Sequence, residues 1–119
     1  MPSVLLVEDE FLIRAVLADA LGDEGLACIQ APTGQAALDV ISSAAPLSAI
    51  IVDVGLPDMS GERVIEAAAR HRPGTPIIRC SGRPGPAQEM PGVKVHVYPK
   101  PYDAGQLAKF VVSLVAAGA

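Results

Sequence analysis

The chain has 119 residues and a formal net charge of -4, and half of it is hydrophobic, with only two Phe, two Tyr and no Trp. That length suits one domain with a proper core, and no run approaches the roughly 20 apolar residues of a membrane-spanning helix. Scattered charge and few rings exclude an electrostatic or stacking platform for nucleic acid.

Val4 to Val7 is an apolar run without alternation, the pattern of a strand buried on both faces, and it ends in Glu8, Asp9 and Glu10. Phe11 to Glu24 changes to a helical period, with Ile13, Val16, Leu17, Ala20 and Leu21 expected to face inward and Gly22 and Gly25 marking the end. Leu26 to Gln30 predicts a short second strand. Pro32-Thr33-Gly34 then opens a second helix, with Thr33 as N-cap, Ala37, Leu38 and Ile41 inward, and Pro46 closing it. Leu47 to Asp53 is the third strand, and Gly55, Pro57 and Gly61 form the turn after it. Ser60 caps the third helix, Glu62 suits its first turn, Val64, Ile65 and Ala68 face inward, and Arg70, His71 and Arg72 suit its far end. Pro73-Gly74 stops it. Pro76 to Cys80 and Val93 to Tyr98 predict the fourth and fifth strands. Asp103 caps a last helix, Gln106 stands three residues on as in a capping box, and Leu107, Phe110, Val111, Leu114 and Val115 form its buried stripe.

Strands separated by helices require long crossovers, hence a parallel sheet with helices on both faces. No repeat or linker interrupts residues 1–119, which read as one domain. Between Ser81 and Gly92 the breakers Gly82, Pro84, Gly85, Pro86, Pro91 and Gly92 leave room for one turn at most, around Ala87 to Met90, so the helix after the fourth strand is expected to be short or missing. Amide exchange showing a protected multi-turn helix there would overturn this. Arg79 inside a strand suggests missing cover on one sheet face, since an unpaired buried charge is costly. The fifth strand alternates Val93, Val95 and Val97 with Lys94, His96 and Tyr98, and the simpler reading exposes Lys94 and His96 on an edge strand. Cys28 and Cys80 stand in separate apolar runs without metal-ligand spacing and read as buried small hydrophobes. The amino terminus has no basic leader and no small-residue cleavage site, so a cytoplasmic location is expected.

Sites in open α/β sheets gather at the carboxyl ends of the strands. Glu8 and Asp9 follow the first strand, Asp53 ends the third, Ser81 follows the fourth and Lys100 the fifth. Each alone has an ordinary reading: acids favouring a helix N-terminus, turn-forming Asp and Ser, a solvated lysine. Together they converge on one edge. Two carboxylates about 4 Å apart repel by on the order of 4 kcal/mol at an effective dielectric near 20, so a cation belongs among them. Oxygen-only donors with water suit Mg²⁺. Asp53 is then prepared for nucleophilic phosphoryl transfer, with Mg²⁺, the Lys100 ammonium and the Ser81 hydroxyl stabilising the phosphoryl oxygens.

These residues resemble the receiver domain of two-component response regulators over nearly the whole chain. The resemblance is carried by Glu8-Asp9 after the first strand, Asp53 followed by Leu56-Pro57-Asp58-Met59-Ser60-Gly61, Ser81-Gly82 after Pro76-Ile77-Ile78, and Lys100-Pro101 before Tyr102. It implies a flavodoxin-like, doubly wound five-stranded sheet of order 2-1-3-4-5. By the same resemblance Asp53 is the phosphoacceptor for a histidine kinase or histidine phosphotransfer protein. Asp9, Asp53 and the Gly55 backbone carbonyl would bind Mg²⁺, and Glu8 would hold a metal-bound water. Ser81 would move to the phosphoryl group, Lys100 would pair with it, and the Lys100–Pro101 bond would be cis, an isomer that costs little before proline. The chain departs from the family at Val97, where an aromatic ring often swings, with Tyr98 one position later; the family register would turn Val97 and its apolar row towards the helix after the fourth strand, in conflict with the edge-strand reading of the alternation.

The expected function is a stand-alone phosphoacceptor signalling module that changes its binding to an output protein, as a monomer or a phosphorylation-dependent dimer, and that catalyses only its own phosphorylation and dephosphorylation. The small residues from Val112 to Ala119 lead to the expectation that no output domain is attached. The alternative is a degenerate receiver that binds a partner without being phosphorylated. A turnover phosphatase is disfavoured because Phe11 stands where an Asp-x-Asp motif would place its second acid, and a flavin carrier because acids at the first strand's end would repel a phosphate tail.

Overall fold

The computed structural model describes residues 2–81 and 95–117. In chain order its elements are β1 (Ser3–Val7), α1 (Phe11–Asp23), β2 (Ala27–Ala31), α2 (Gly34–Ile41), β3 (Ala49–Asp53), α3 (Gly61–His71), β4 (Ile77–Ser81), β5 (Val95–Pro99) and α4 (Ala104–Ala117). All strand pairs are parallel, in the order β2-β1-β3-β4-β5. No helix among the described residues is long and apolar enough to cross a membrane. The expected short or missing helix falls on residues 82–92, outside the described residues.

The unbroken apolar runs have their explanation in two separate core layers. Val4 and Leu6 of β1, Ile51 of β3 and Ile78 and Cys80 of β4 pack against Leu17 and Leu21 of α1 and Leu107 and Val111 of α4. Their neighbours Leu5, Val7, Ile50, Val52 and Ile77 face the other way, onto Ala37 and Ile41 of α2 and Val64, Ile65 and Ala68 of α3. A strand with a helix layer on each side has no polar face to alternate with. Each fully buried Leu or Ile contributes about 2 kcal/mol of transfer free energy.

The expected N-caps form. Thr33 Oγ1 accepts from the Ala36 N–H, Ser60 Oγ from the Glu62 N–H, and Asp103 Oδ1 from the Gln106 N–H. Arg72, by contrast, does more than complement its own helix. Its guanidinium donates to the carbonyls of Val40, Ile41, Ser43 and Ala45, closing the far end of α2, where helical carbonyls lack partners.

Three expectations need correction. Val16 was expected to face inward and is 57% exposed; at 3.6 residues per turn it sits about 100° around α1 from Leu17, off the side that is covered. Arg79 is not an unpaired charge, because Glu62 on α3 supplies its partner across the layer. His96 is not an exposed edge residue. It is half-buried, its ring lying edge-on to Phe110 of α4 at 5.6 Å. Val95 and Val97 take the opposite face, Val95 packed on the α2–α3 layer and Val97 exposed. Lys94 and Val93 lie outside the described residues.

Gly61 starts α3 because nothing larger fits: a Cβ there would lie 2.5 Å from the Asp53 carbonyl oxygen and from Val54 Cα. Backbone atoms cannot rotate away. Gly61→Ala is expected to cost about 2–3 kcal/mol, the upper part of the overpacking range, read as a lower urea midpoint at unchanged slope. An unchanged midpoint would show that the turn accommodates the methyl group.

Candidate functional site

Parallel pairing brings every strand's carboxyl end to one edge, and the register decides which residues meet there. Val7 of β1 stands beside Val52 of β3, so Glu8 emerges next to Asp53. Asp53 pairs with Cys80 of β4, and Ser81 with Pro99 of β5. The Lys100 N–H donates to the Ser81 carbonyl at 2.9 Å, which carries Lys100 back over the edge.

The side chains converge as the sequence suggests. Glu8, Asp9 and Asp53 each offer a carboxylate oxygen within 4.8 Å of the others, an arrangement able to hold a metal ion. Glu8 is 2% exposed and Asp53 8%, whereas Asp9 faces solvent. Lys100 Nζ lies 3.2 Å from Asp53 Oδ1 and 3.3 Å from Glu8 Oε2. Ser81 is buried at the end of β4. Gly55 lies on the turn after β3, where its N–H donates to Asp53 Oδ1 at 3.2 Å. The Lys100–Pro101 bond is cis.

Three acids and one ammonium leave the site short of positive charge. Burial, with Asp53 beside it, pushes the Glu8 carboxyl up to about 7, although Lys100 pulls the other way. Burial works against the Lys100 charge, but Glu8 and Asp53 outweigh it and the ammonium is held more tightly than usual. The donors are all oxygen and the excess charge is negative, so the residues fit a hard divalent cation such as Mg²⁺.

The family profile for the response regulator receiver domain matches residues 4–111. The chain belongs to that family. The receiver is 33% identical over 89 residues to a protein-glutamate methylesterase/protein-glutamine glutaminase of Anaeromyxobacter dehalogenans, a match over 75% of this chain and 25% of that protein. It superposes on the receiver domain of the hybrid histidine kinase CckA with a TM-score of 0.79 at 29% identity, covering 95% of this chain and 98% of that one. A response regulator receiver protein from Sinorhizobium medicae gives a TM-score of 0.84 at 23% identity over 99% and 97% of the two chains, a likeness of fold. The receiver thus spans about a quarter of the length of the methylesterase it matches. Members of this family generally use Mg²⁺ and work with sensor histidine kinases.

Charge at Glu8 sets a pH dependence whose sign follows from linkage. A carboxyl whose pKa is higher folded than unfolded binds more protons in the native state, so metal-free stability should fall as pH rises from 4.5 to about 7 and then level off. A bound cation competes with that proton, so Mg²⁺ affinity should rise over the same window. Urea unfolding in chelator and Mg²⁺ titration at pH 5 and 8 check both signs; affinity independent of pH would mean that Glu8 stays ionised throughout.

Tyr98, Tyr102 and Phe110 pack, partly buried, against the core layer formed with α1 and α4. Tyr98 packs on Tyr102 at 6.2 Å and on Phe110 at 5.6 Å, centroid to centroid, while Val97, at the family's ring position, is exposed on the opposite sheet face. Both thiols are free and protonated, pushed by burial up to about 11 at Cys28 and about 12 at Cys80.

Sequence reasoning missed an apolar surface beside the site. Phe11 and Leu12 are 69% and 74% exposed and stand with Val16 on α1. Leu12, Ile13 and Val16 form one wall of a groove whose other wall is Tyr102, Asp103 and Ala104. The available signal was that Phe11 and Leu12 follow the acids directly and so had to sit at the rim.

Proposed function

We propose that this receiver takes a phosphoryl group from a phosphohistidine onto Asp53 and thereby changes its binding to a partner protein. The observation that carries the reading is a buried Asp53 carboxylate with Lys100 at 3.2 Å and two further acids in reach of one cation. In the transfer, an Asp53 oxygen forms the new P–O bond as the P–N bond to the donor imidazole breaks, its electron pair returning to the ring nitrogen. Lys100 then trades its Asp53 contact for a phosphoryl oxygen, and the Ser81 hydroxyl donates to another. Asp9, Asp53 and the Gly55 carbonyl would hold Mg²⁺ directly, with Glu8 on a bound water. When bound, the ion supplies positive charge that offsets the phosphoryl oxygens. The only reactions catalysed are the receiver's own phosphorylation and dephosphorylation, in the cytoplasm. Treatment with acetyl phosphate and Mg²⁺, followed by mass spectrometry, tests the reading; a receiver that binds partners but never gains the phosphoryl mass would be the degenerate form.

A protein donor must cover the rim to deliver its imidazole to Asp53, and the exposed apolar end of α1 is the surface it meets there. An apolar patch ringed by polar residues is a protein-interaction signal. Leu12→Asp together with Val16→Asp should leave labelling by acetyl phosphate unchanged and slow transfer from a phosphorylated histidine phosphotransfer protein by roughly tenfold or more, as for loss of an interface anchor. Equal transfer from both donors would place the docking face elsewhere.

A further inference from the structure

The loop between β3 and α3, residues 54–60, is fastened at both ends and at its tip. Gly55 N–H holds Asp53 Oδ1 at one end, and Gly61 packs on the Asp53–Val54 backbone at the other, its N–H bonded to the Val54 carbonyl at 3.1 Å. At the tip the Asp58 carboxylate reaches the first turn of α2. Oδ1 accepts from the Gly34 N–H at 2.8 Å and Oδ2 from the Gln35 N–H at 2.9 Å.

With Thr33 taking the Ala36 N–H, the unpaired donors of that turn are divided between a local cap and an acid 24 residues away. An anion at a helix N-terminus accepting two amides is a strong contact, and those bonds from Gln35 and Gly34 hold the Asp58 carboxyl below the usual carboxylate range. A steric contact backs the polar one. Met59 lies so close to Gly34 that a Cβ there would stand 2.6 Å from its sulfur.

We propose that Asp58, seated on α2 through Gly34 and Gln35, is a positioning residue for the phosphoacceptor site: it fixes the loop that carries Gly55 and so keeps the Asp53 carboxylate and the Gly55 backbone aligned for the cation. This rests on the reading of Asp53 given above. The same loop meets Asp53 through one hydrogen bond and would meet the cation through the Gly55 carbonyl, so a loose tip would blur both.

The test is Mg²⁺ titration of the full chain followed by amide NMR shifts, with labelling by acetyl phosphate and urea unfolding alongside. Asp58→Ala should weaken Mg²⁺ binding roughly tenfold, the lower end of what contacts behind metal ligands contribute, and Asp58→Asn, which keeps one acceptor oxygen, should fall between. Gly34→Ala should act likewise, by displacing Met59 and by crowding Asp58 Oδ1, 3.2 Å from the new Cβ, and Gly34→Ala with Met59→Ala should restore part of the affinity. Wild-type affinity in a folded Asp58→Ala protein overturns the proposal and leaves the phosphoacceptor reading standing, as does wild-type affinity in Gly34→Ala. A wild-type chain with no Mg²⁺ affinity overturns both. Should Asp58→Ala fail to fold, the Gly34 pair decides.

Discussion

Asp53→Asn is expected to gain no phosphoryl mass under conditions that label the wild-type chain, while gaining stability in chelator. Both effects have one cause. The Asp53 carboxylate is the nucleophile, and an amide of the same shape has no anionic oxygen to attack phosphorus. The carboxylate is also a buried charge beside Glu8, sharing a single lysine with it. Neutralising it should leave Lys100 to Glu8 alone, lower the Glu8 pKa towards the ordinary value, and stabilise the metal-free fold by about 1 kcal/mol. Intact-mass spectrometry and urea unfolding read the two results. Phosphoryl mass that persists in the variant would assign the acceptor to another residue, and unchanged stability would mean that Lys100 already offsets both acids.

Lys100→Met should have the second largest effect, in the opposite direction. The ammonium lies within 3.3 Å of both buried acids, and its removal leaves two uncompensated carboxylates. Breaking a buried pair costs about 3–5 kcal/mol; Lys100 is partly exposed and Glu8 can take up a proton, so about 2 kcal/mol is expected at pH 8. At pH 5 Glu8 is protonated and most of the loss should vanish. Mg²⁺ should restore part of it at pH 8. The labelling rate should fall by roughly a hundredfold, the value of one well-placed oxyanion donor, and stopped-flow labelling with acetyl phosphate measures it. A loss of stability equal at both pH values would trace it to packing of the lysine stem instead.

The five strands were legible because burial on two faces writes itself as unbroken apolar runs, and the caps because Thr33, Ser60 and Asp103 each open a helical period. The site was legible for a topological reason: parallel strands must deliver Glu8, Asp53, Ser81 and Lys100 to the same edge. What stayed hidden were pairings across distance. Nothing in Glu8-Asp9 says that the first acid is buried against Lys100 and the second faces water. Arg79 declares a buried charge but not Glu62, 17 residues earlier, as its partner. Helical spacing admits Val16 to the inward face, yet it stands 57% exposed on the groove wall. In β5 the alternation was visible, while the identity of the covered face depended on the His96 contact with Phe110.

Arg72 and Asp58 flank α3, one just past its end and one just before its start, yet both bond to α2, at its carbonyl end and its amide end respectively. Eight residues are too few to hold a helix by themselves. α2 therefore borrows its permanence from its neighbour: the two are expected to melt together, and a cut beyond Ala45 in the segment joining α2 to β3 should leave α2 docked, because its fastenings come from α3's side of the chain.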